Sequence, residues 1–545
     1  MKKSSIKQLS LLLVLVMLIS MFSACAKKTE QTTTTETTAP TEATTTEDTQ
    51  LTIGESTDAG DQEQDTERAI KDTLTVGLYE EPGSLDPMAQ SLSGNAQVAM
   101  NIYDTLFKKN AAGEVLPNLV ESYEQVDELT YTLHLREDVY WHNGDKFTAD
   151  DVVYNLERLT TAPGTKSRFG WLDPENCKAI DEYTVEMKLK SPMGRVALNL
   201  CTPLTSMVNP RVAEDPNANM DRNPVGTGPY KFVSWTTGDN ITITRNDSYW
   251  GDPAVTENIV FKFFTDANIR AVQLETNAID FYYNVGPTDY DRLMENPDVT
   301  VVSGPGYTHE SIYFSQKCKS VFNDVAVRKA MTYALDIPSI VEAVWGKLAV
   351  PASSIFSSAI EGYVKVGPVE RDVEYAKQIL ADAGYPDGID GEIYFPNNST
   401  TQAYMEICQA QWAEAGIRIS INSLDSATVK SMNAEGTNPC GRSNFTASTG
   451  DAVHALAAWE IGYSGVMQPQ DEYIDTRIKQ VRASSDHDEC MELLKEIQVY
   501  ALTEQYYAIP VAFINVSYAM SKNVFGFEFN PGENLYLNTM GVYAD

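Results

Sequence analysis

The sequence predicts an α/β protein of two lobes, and three observations predict it. With 545 residues the chain exceeds what one hydrophobic core usually serves, so two or three domains are expected. Between 371 and 421 two helix-then-strand units follow one another, the pattern of a Rossmann-like lobe. Two apolar strands far apart in the chain, within Tyr307 to Gln316 and Val511 to Val516, lie where the sequence changes character and read as crossings between lobes.

Hydrophobic residues make up 43% and aromatics 10%, enough for large cores and against a mainly disordered chain. The formal net charge of −35, with no Lys/Arg cluster to offset it, makes nucleic acid a poor partner. Acidity alone does not identify a cationic substrate, because solvated surface carboxylates also serve solubility. Of the seven cysteines, the six after Cys25 show neither Cys-x-x-Cys nor metal-ligand spacing and read as buried thiols, with one disulfide left open. The five histidines (134, 142, 309, 454 and 487) form no His-Glu-x-x-His, and Gly-x-Ser-x-Gly and Walker sequences are missing too, so no catalytic signature, metal or cofactor is called for.

In chain order, Lys2, Lys3 and Lys7 precede an apolar run from Leu9 to Phe22 that ends in Ser23-Ala24-Cys25. A positive start, an apolar stretch short of a ~20-residue span and small residues at the end read as an export signal over 1–24. Small residues before a cysteine resemble the bacterial lipobox, which implies lipidation of Cys25, although Phe22 stands where that motif carries an aliphatic residue. Residues 25–71 are Thr- and Glu-rich and too poor in apolar side chains to offset backbone ordering, so they are expected to form a disordered tether.

The folded part opens with a strand at Thr73 to Leu78 and a Ser84-Leu85-Asp86-Pro87 loop, then a helix from Val98 to Phe107. Tyr131 to Arg136 alternates as a half-buried strand, and Trp141 to Asp145 turns. Thr148 caps a helix with Asp150 and Asp151 in its first turn and Val152, Val153, Leu156 and Leu159 on its buried face. His142 lacks a second His, a Cys or a spaced carboxylate pair and reads as a turn histidine.

The most distinctive stretch is Asn223 to Trp250. Pro224 and Pro229 fix φ while Gly226 and Gly228 permit positive φ, so 223–229 should be a defined loop. Gly226-Thr227-Gly228 is no phosphate loop, since Pro229 and a strand follow it where a helix N-terminus is required. Tyr230/Phe232 and Ile241/Ile243 alternate around Gly238-Asp239, which predicts a β-hairpin. Beyond it, a helix is expected from Asp266 to Leu274, a strand at Ala278 to Phe281 and another at Glu310 to Ser315. An amphipathic helix should run from Asp324 to Ala334. Helices from Arg371 to Ala383 and Gln402 to Ala415 should end at Gly384 and Gly416, followed by strands at Ile393 to Phe395 and Ile417 to Ile421. A last helix, Glu489 to Thr503, precedes the strand Ala508 to Val516.

Several of these segments together, namely Leu85-Asp86-Pro87, Tyr131 to Arg136 with Thr148 to Val152, Asn223 to Trp250, Phe322 to Ala330 and Asn530-Pro531, resemble the family 5 extracellular solute-binding proteins, which deliver ligand to ABC importers. The resemblance covers about 74–545. It implies a two-lobed, periplasmic-binding-protein-like fold of type II with an extra subdomain in the first lobe. Lobe I would comprise 72–112, 223–308 and 516–545, its subdomain 113–222, and lobe II 309–515. It also implies a monomer that captures a peptide between lobes and hands it to an ABC permease and its ATPase at the outer face of the cytoplasmic membrane. A nickel chelate, glutathione, haem or an oligosaccharide remain alternative ligands, and a secreted hydrolase or an adhesive lipoprotein alternative roles. On one lobe the resemblance implies ligand contacts from Met88, Gln90, Arg168 and Trp171. On the other it implies Asp451, as partner of a ligand α-amine, and Trp459. Around 441–470 the sequence departs from the family, whose Gly-Trp and acidic loop are replaced by Asn444 to Asp451, with Trp459 later.

Overall fold

The computed structural model describes residues 52–53, 68–89, 93–110, 113–166, 168–447, 450–461 and 469–544. The export signal, Cys25, Gln90 and most of the tether lie outside the described residues. Thr52 and Ile53 do pair with Ser303 and Val302, so one short piece of the expected tether adds a strand to the sheet.

One twelve-stranded mixed sheet organises the fold. At one end lie Ile417–Leu424, Ile389–Pro396 and Cys440–Thr446, and at the other Phe281–Tyr283, Thr73–Leu78, Asn258–Phe263, Asn240–Arg245 and Tyr230–Thr236. Between them Val299–Phe314 and Ala508–Ser521 run antiparallel. Val299–Pro305 pairs with 515–521 and Thr308–Tyr313 with 508–514, so both strands serve both lobes. The register slips between Pro305 and Thr308, leaving Gly306 and Tyr307 as a bulge at the junction. Glycine fits there because a Cβ would lie 2.7 Å from Val516 Cγ1. Ser357 Oγ donates to the Gly306 carbonyl. The expected strand at Glu310 to Ser315 is thus the second half of a 16-residue strand.

Separate apolar cores underlie the two ends. One joins Leu74, Val76, Ile102, Tyr230, Ile243, Phe261 and Tyr518, and another joins Phe314, Val327, Met331, Leu380, Ile393, Met405, Trp412 and Ile417. A four-stranded antiparallel sheet (Val120–Asp127, Thr130–Leu135, Thr184–Lys188, Lys178–Asp181) packs on the helix Ala149–Thr161 through its own core, which includes Leu133, Trp141, Phe147, Leu156 and Met187. The periodicity that predicted the Thr148-capped helix follows from that burial.

The helices of the second half stand where caps and glycines place them. Asp324 Oδ1 accepts from Ala326 N, and the helices Val373–Asp382 and Ser399–Glu414 are each followed by a glycine in the left-handed region, Gly384 at φ +92 and Gly416 at φ +79. Two expectations in the first half shift. The helix expected over Val98 to Phe107 is Ser93–Ile102, and Phe107–Lys109 is a strand, because the Ile102 carbonyl receives the Gly228 N–H (2.9 Å) and the chain turns away. The strand expected at Ala278 begins at Phe281; Asp280 before it accepts from Thr75 N (2.9 Å) and ion-pairs with Lys71 (3.1 Å).

The stretch 223–250 folds as the expected hairpin, Tyr230–Thr236 with Asn240–Arg245, turning at Gly238 with φ +75. Gly226 and Gly228 have ordinary φ, against expectation. They are glycines because a Cβ at 226 would sit 2.0 Å, and at 228 2.7 Å, from the Ile102 carbonyl oxygen. His142 fastens the same loop: its Nδ1 accepts from Gly226 N (3.3 Å) and its Nε2–H donates to Gly228 O (2.9 Å). That pair of contacts requires the neutral Nε2–H tautomer. Burial lowers the His142 pKa from 6.5 to about 4, with the Gly228 bond opposing and Lys231 assisting.

Candidate functional site

The hairpin's last residues help build a buried acidic centre beside Lys109. Asp104, just past the first helix, is buried and accepts from Thr227 Oγ1 (3.0 Å), Trp250 Nε1 (3.1 Å), Tyr249 OH (3.2 Å) and more distantly Asn118 Nδ2 (3.4 Å). Burial raises its pKa while these donors lower it. Tyr103, Asp104, Lys109, Tyr249, Asn530 and Tyr536 help enclose a cavity of about 370 Å³. Tyr249 and Trp250, which end the distinctive stretch, therefore hold a carboxylate in place.

Lys109 also lines a second cavity, of about 580 Å³, whose walls come from both halves of the molecule. Lys109, Tyr123 and Arg195 belong to the half carrying the small sheet, while Glu361, Gly450 and His487 face them from the segments that follow the crossing strand. The volume lies in the range of small-solute sites. The wall carries both signs of charge. Arg195 ion-pairs with Glu361, and its Nη1 lies 3.4 Å from Asp451 Oδ1. Asp451 itself is 3% exposed, behind Gly450. Its Oδ1 accepts from Val453 N (3.0 Å), capping the short helix Ala452–Leu456, so a capping role and a place beside the cavity coexist. Burial raises the Asp451 pKa against the pull of Arg195 and Lys109, and burial lowers that of Lys109 against nearby anions.

The turn carrying Arg195 is pressed onto the opposite wall. Gly194 N donates to Arg482 O (3.1 Å), and a Cβ on Gly194 would fall 1.9 Å from Ser484 O. On the crossing strand, Glu310 is 1% exposed and receives Arg442 Nη2 (2.8 Å), Asn444 Nδ2 (3.0 Å) and Tyr404 OH (3.0 Å). This network fixes the strand Cys440–Thr446 that leads toward Asp451.

Of the residues expected to touch ligand, Asp451 stands beside the cavity, whereas Met88, Trp171 and Trp459 do not line either cavity described above. Met88 and Trp171 are buried in the core under the small sheet, Met88 on a loop that folds inward where the Asp86 carboxylate accepts from Met88 N and Arg158. Trp459 is 1% exposed and meets Tyr313 edge to face at 5.7 Å. Arg168 is an exposed loop residue. Lys109, Arg195 and Glu361 were not singled out from sequence. Arg195 follows the Ser191-Pro192 turn and a glycine, a weak signal, and Glu361 has none. All six described cysteines are free thiols. Among the described residues no cluster of three or more His, Cys, Asp or Glu could hold a metal ion, and no helix is long and apolar enough to cross a membrane.

Two α/β halves joined by a pair of crossing strands, with a charged cavity between them, define the two-lobed, periplasmic-binding-protein-like fold of type II. The chain belongs to the bacterial extracellular solute-binding proteins, family 5, whose model matches residues 114–464; these are the solute-capturing components of ABC importers. It is similar to the glutathione-binding protein GsiB of Pectobacterium atrosepticum, 27% identical over 471 residues, 82% of this chain and 91% of that one. The fold matches HbpA2 from Haemophilus parasuis (TM-score 0.80, 24% identity, 87% of this chain and 100% of that one). It also matches the ABC transporter-associated periplasmic binding protein DppA from Helicobacter pylori in complex with the peptide STSA (TM-score 0.70, 22% identity, 87% and 98%).

Proposed function

We propose that this chain captures a short peptide or a peptide-like zwitterion in the cavity between its lobes and delivers it to an ABC permease, while lipid on Cys25 holds it at the outer face of the membrane. The observation that carries the ligand class is the cavity wall, where Lys109 and Arg195 face Glu361, with the Asp451 carboxylate buried just behind Gly450. A ligand with an ammonium at one end and a carboxylate at the other finds a partner for each, which offsets the loss of water when the cleft closes. The peptide in the DppA complex is such a molecule, and glutathione, itself a modified tripeptide, falls in the same class. Binding, with no covalent step, is the chemistry this site performs.

In this reading Asp451 pairs with the ligand's α-amine. Calorimetry with Ala-Ala-Ala and N-acetyl-Ala-Ala-Ala on wild type and Asp451→Ala tests it. The variant should lose ~2–5 kcal/mol, on the order of thirtyfold or more, for the free-amine peptide, and both proteins should bind the acetylated one weakly. Equal affinity of both proteins for the free-amine peptide would remove Asp451 from the site. Mass spectrometry of ligand retained through purification reads the solute directly.

A further inference from the structure

Arg195 reaches across the cavity from one lobe and meets two carboxylates of the other, Glu361 and Asp451. The two contacts differ in quality. Toward Glu361 the guanidinium is hydrogen-bonded through Nη2. Toward Asp451, Nη1 is buried, 3.4 Å from Oδ1 and makes no hydrogen bond. The Asp451 contact therefore has the charge attraction of an ion pair without its directional bond, and a better-placed cation gains by replacing it. Arg195 has a second hold as well. The preceding Gly194 N–H donates to Arg482 O, and only a glycine fits against Ser484 O at that point. A residue held this way has few alternative rotamers to occupy while the lobes stay shut, and its side chain is 16% exposed.

We propose that Arg195 is a built-in competitor for the ligand's cationic end. It latches the lobes together when the site is empty by claiming Glu361 and Asp451, and an incoming ammonium must displace it from Asp451 to bind. Arg195 thereby sets the affinity for amine-bearing solutes and discriminates against neutral ones, which cannot take its place. A latch of this kind also reduces the fraction of binding-competent molecules, so the apparent dissociation constant is the intrinsic one divided by that fraction. The competition rests on the zwitterion reading given above, whereas the latch does not.

Two measurements separate them. Small-angle scattering of the ligand-free protein should give a larger radius of gyration for Arg195→Gln than for wild type. Gly194→Ala, which removes no charge but places a methyl group where Ser484 O stands, should do the same. An unchanged radius in both variants overturns the latch. Calorimetry with Ala-Ala-Ala should show Arg195→Gln binding on the order of fivefold to tenfold more tightly than wild type, with Arg195→Lys near wild type and N-acetyl-Ala-Ala-Ala gaining less, only what loss of the latch contributes. Unchanged or weaker binding of the free-amine peptide by Arg195→Gln overturns the competition, since Arg195 would then be indifferent or a direct ligand contact. If wild type and Arg195→Gln both fail to bind the peptide, the zwitterion reading fails and takes the competition with it, and the latch is decided by scattering alone.

Discussion

Lowering the pH from 7 to 5 should weaken this protein through two desolvated histidines, the half-buried His142 and the buried His309, and the effect is removable one residue at a time. His142 sits with Nδ1 facing the Gly226 N–H and Nε2–H on the Gly228 carbonyl, so a second ring proton would point one N–H at another. His309, on the crossing strand, is 1% exposed with Nε2 against Tyr313 OH at 2.9 Å. Burial lowers both pKa values from 6.5 to about 4. Between these limits the unfolded chain takes up a proton that the folded chain refuses, so stability falls as pH drops from about 6.5 to about 4 and is flat above that window. At pH 5 the folded state has forgone roughly 1.5 pH units of protonation per histidine, or about 2 kcal/mol each at ~1.36 kcal/mol per unit. Surface carboxylates titrate in the same range, so the comparison is between variants. His142→Gln keeps an acceptor for Gly226 and a donor for Gly228 but cannot titrate. Scanning calorimetry at pH 7 and pH 5 should show the variant losing about 2 kcal/mol less than wild type across that interval, a difference of roughly 2 °C in the melting midpoint for a body of this size. His309→Gln should behave alike. Identical losses in wild type and His142→Gln would refute the neutral-tautomer account of the loop.

Two substitutions test packing at the fold's junctions. Glu310→Ala leaves Arg442, Asn444 and Tyr404 without their shared acceptor and should cost ~3–5 kcal/mol, read as a lower melting midpoint, whereas a loss under ~1 kcal/mol would mean that water replaces the carboxylate there. Gly226→Ala places a Cβ about 2.0 Å from the Ile102 carbonyl oxygen, a backbone atom, so the loop must move. Destabilisation at the upper end of ~1–3 kcal/mol is expected in urea titration, together with faster hydrogen exchange at the Gly228 amide, and wild-type exchange at that amide would sink this account.

Local chemistry was enough to place most elements. The hairpin at 230–245 follows from alternation around a turn that needs positive φ at Gly238, and the helices of the second half follow from Asp324, Gly384 and Gly416. These features depend on neighbours within a few residues, which a sequence displays directly. The motifs also carried the family and, through it, the two-lobed fold. What the sequence misjudged was decided by contacts between distant segments. Gly226 and Gly228 are required by the Ile102 carbonyl, more than a hundred residues earlier, and the first helix stops short for the same reason. Met88, Trp171 and Trp459 have the side chains of a ligand wall, yet all three lie in cores, Met88 on the loop folded inward by the Asp86–Arg158 pair, Trp171 beside Phe169 and Trp459 against the Tyr313 ring. The cavity's charged wall, with Lys109 from a strand end, Arg195 and Glu361 from loops and Asp451 from a loop just behind it, has no period, spacing or local motif. Only the pairing of the two crossing strands brings those segments together, because a charge's effect on a ligand depends on distance in space and not on distance along the chain.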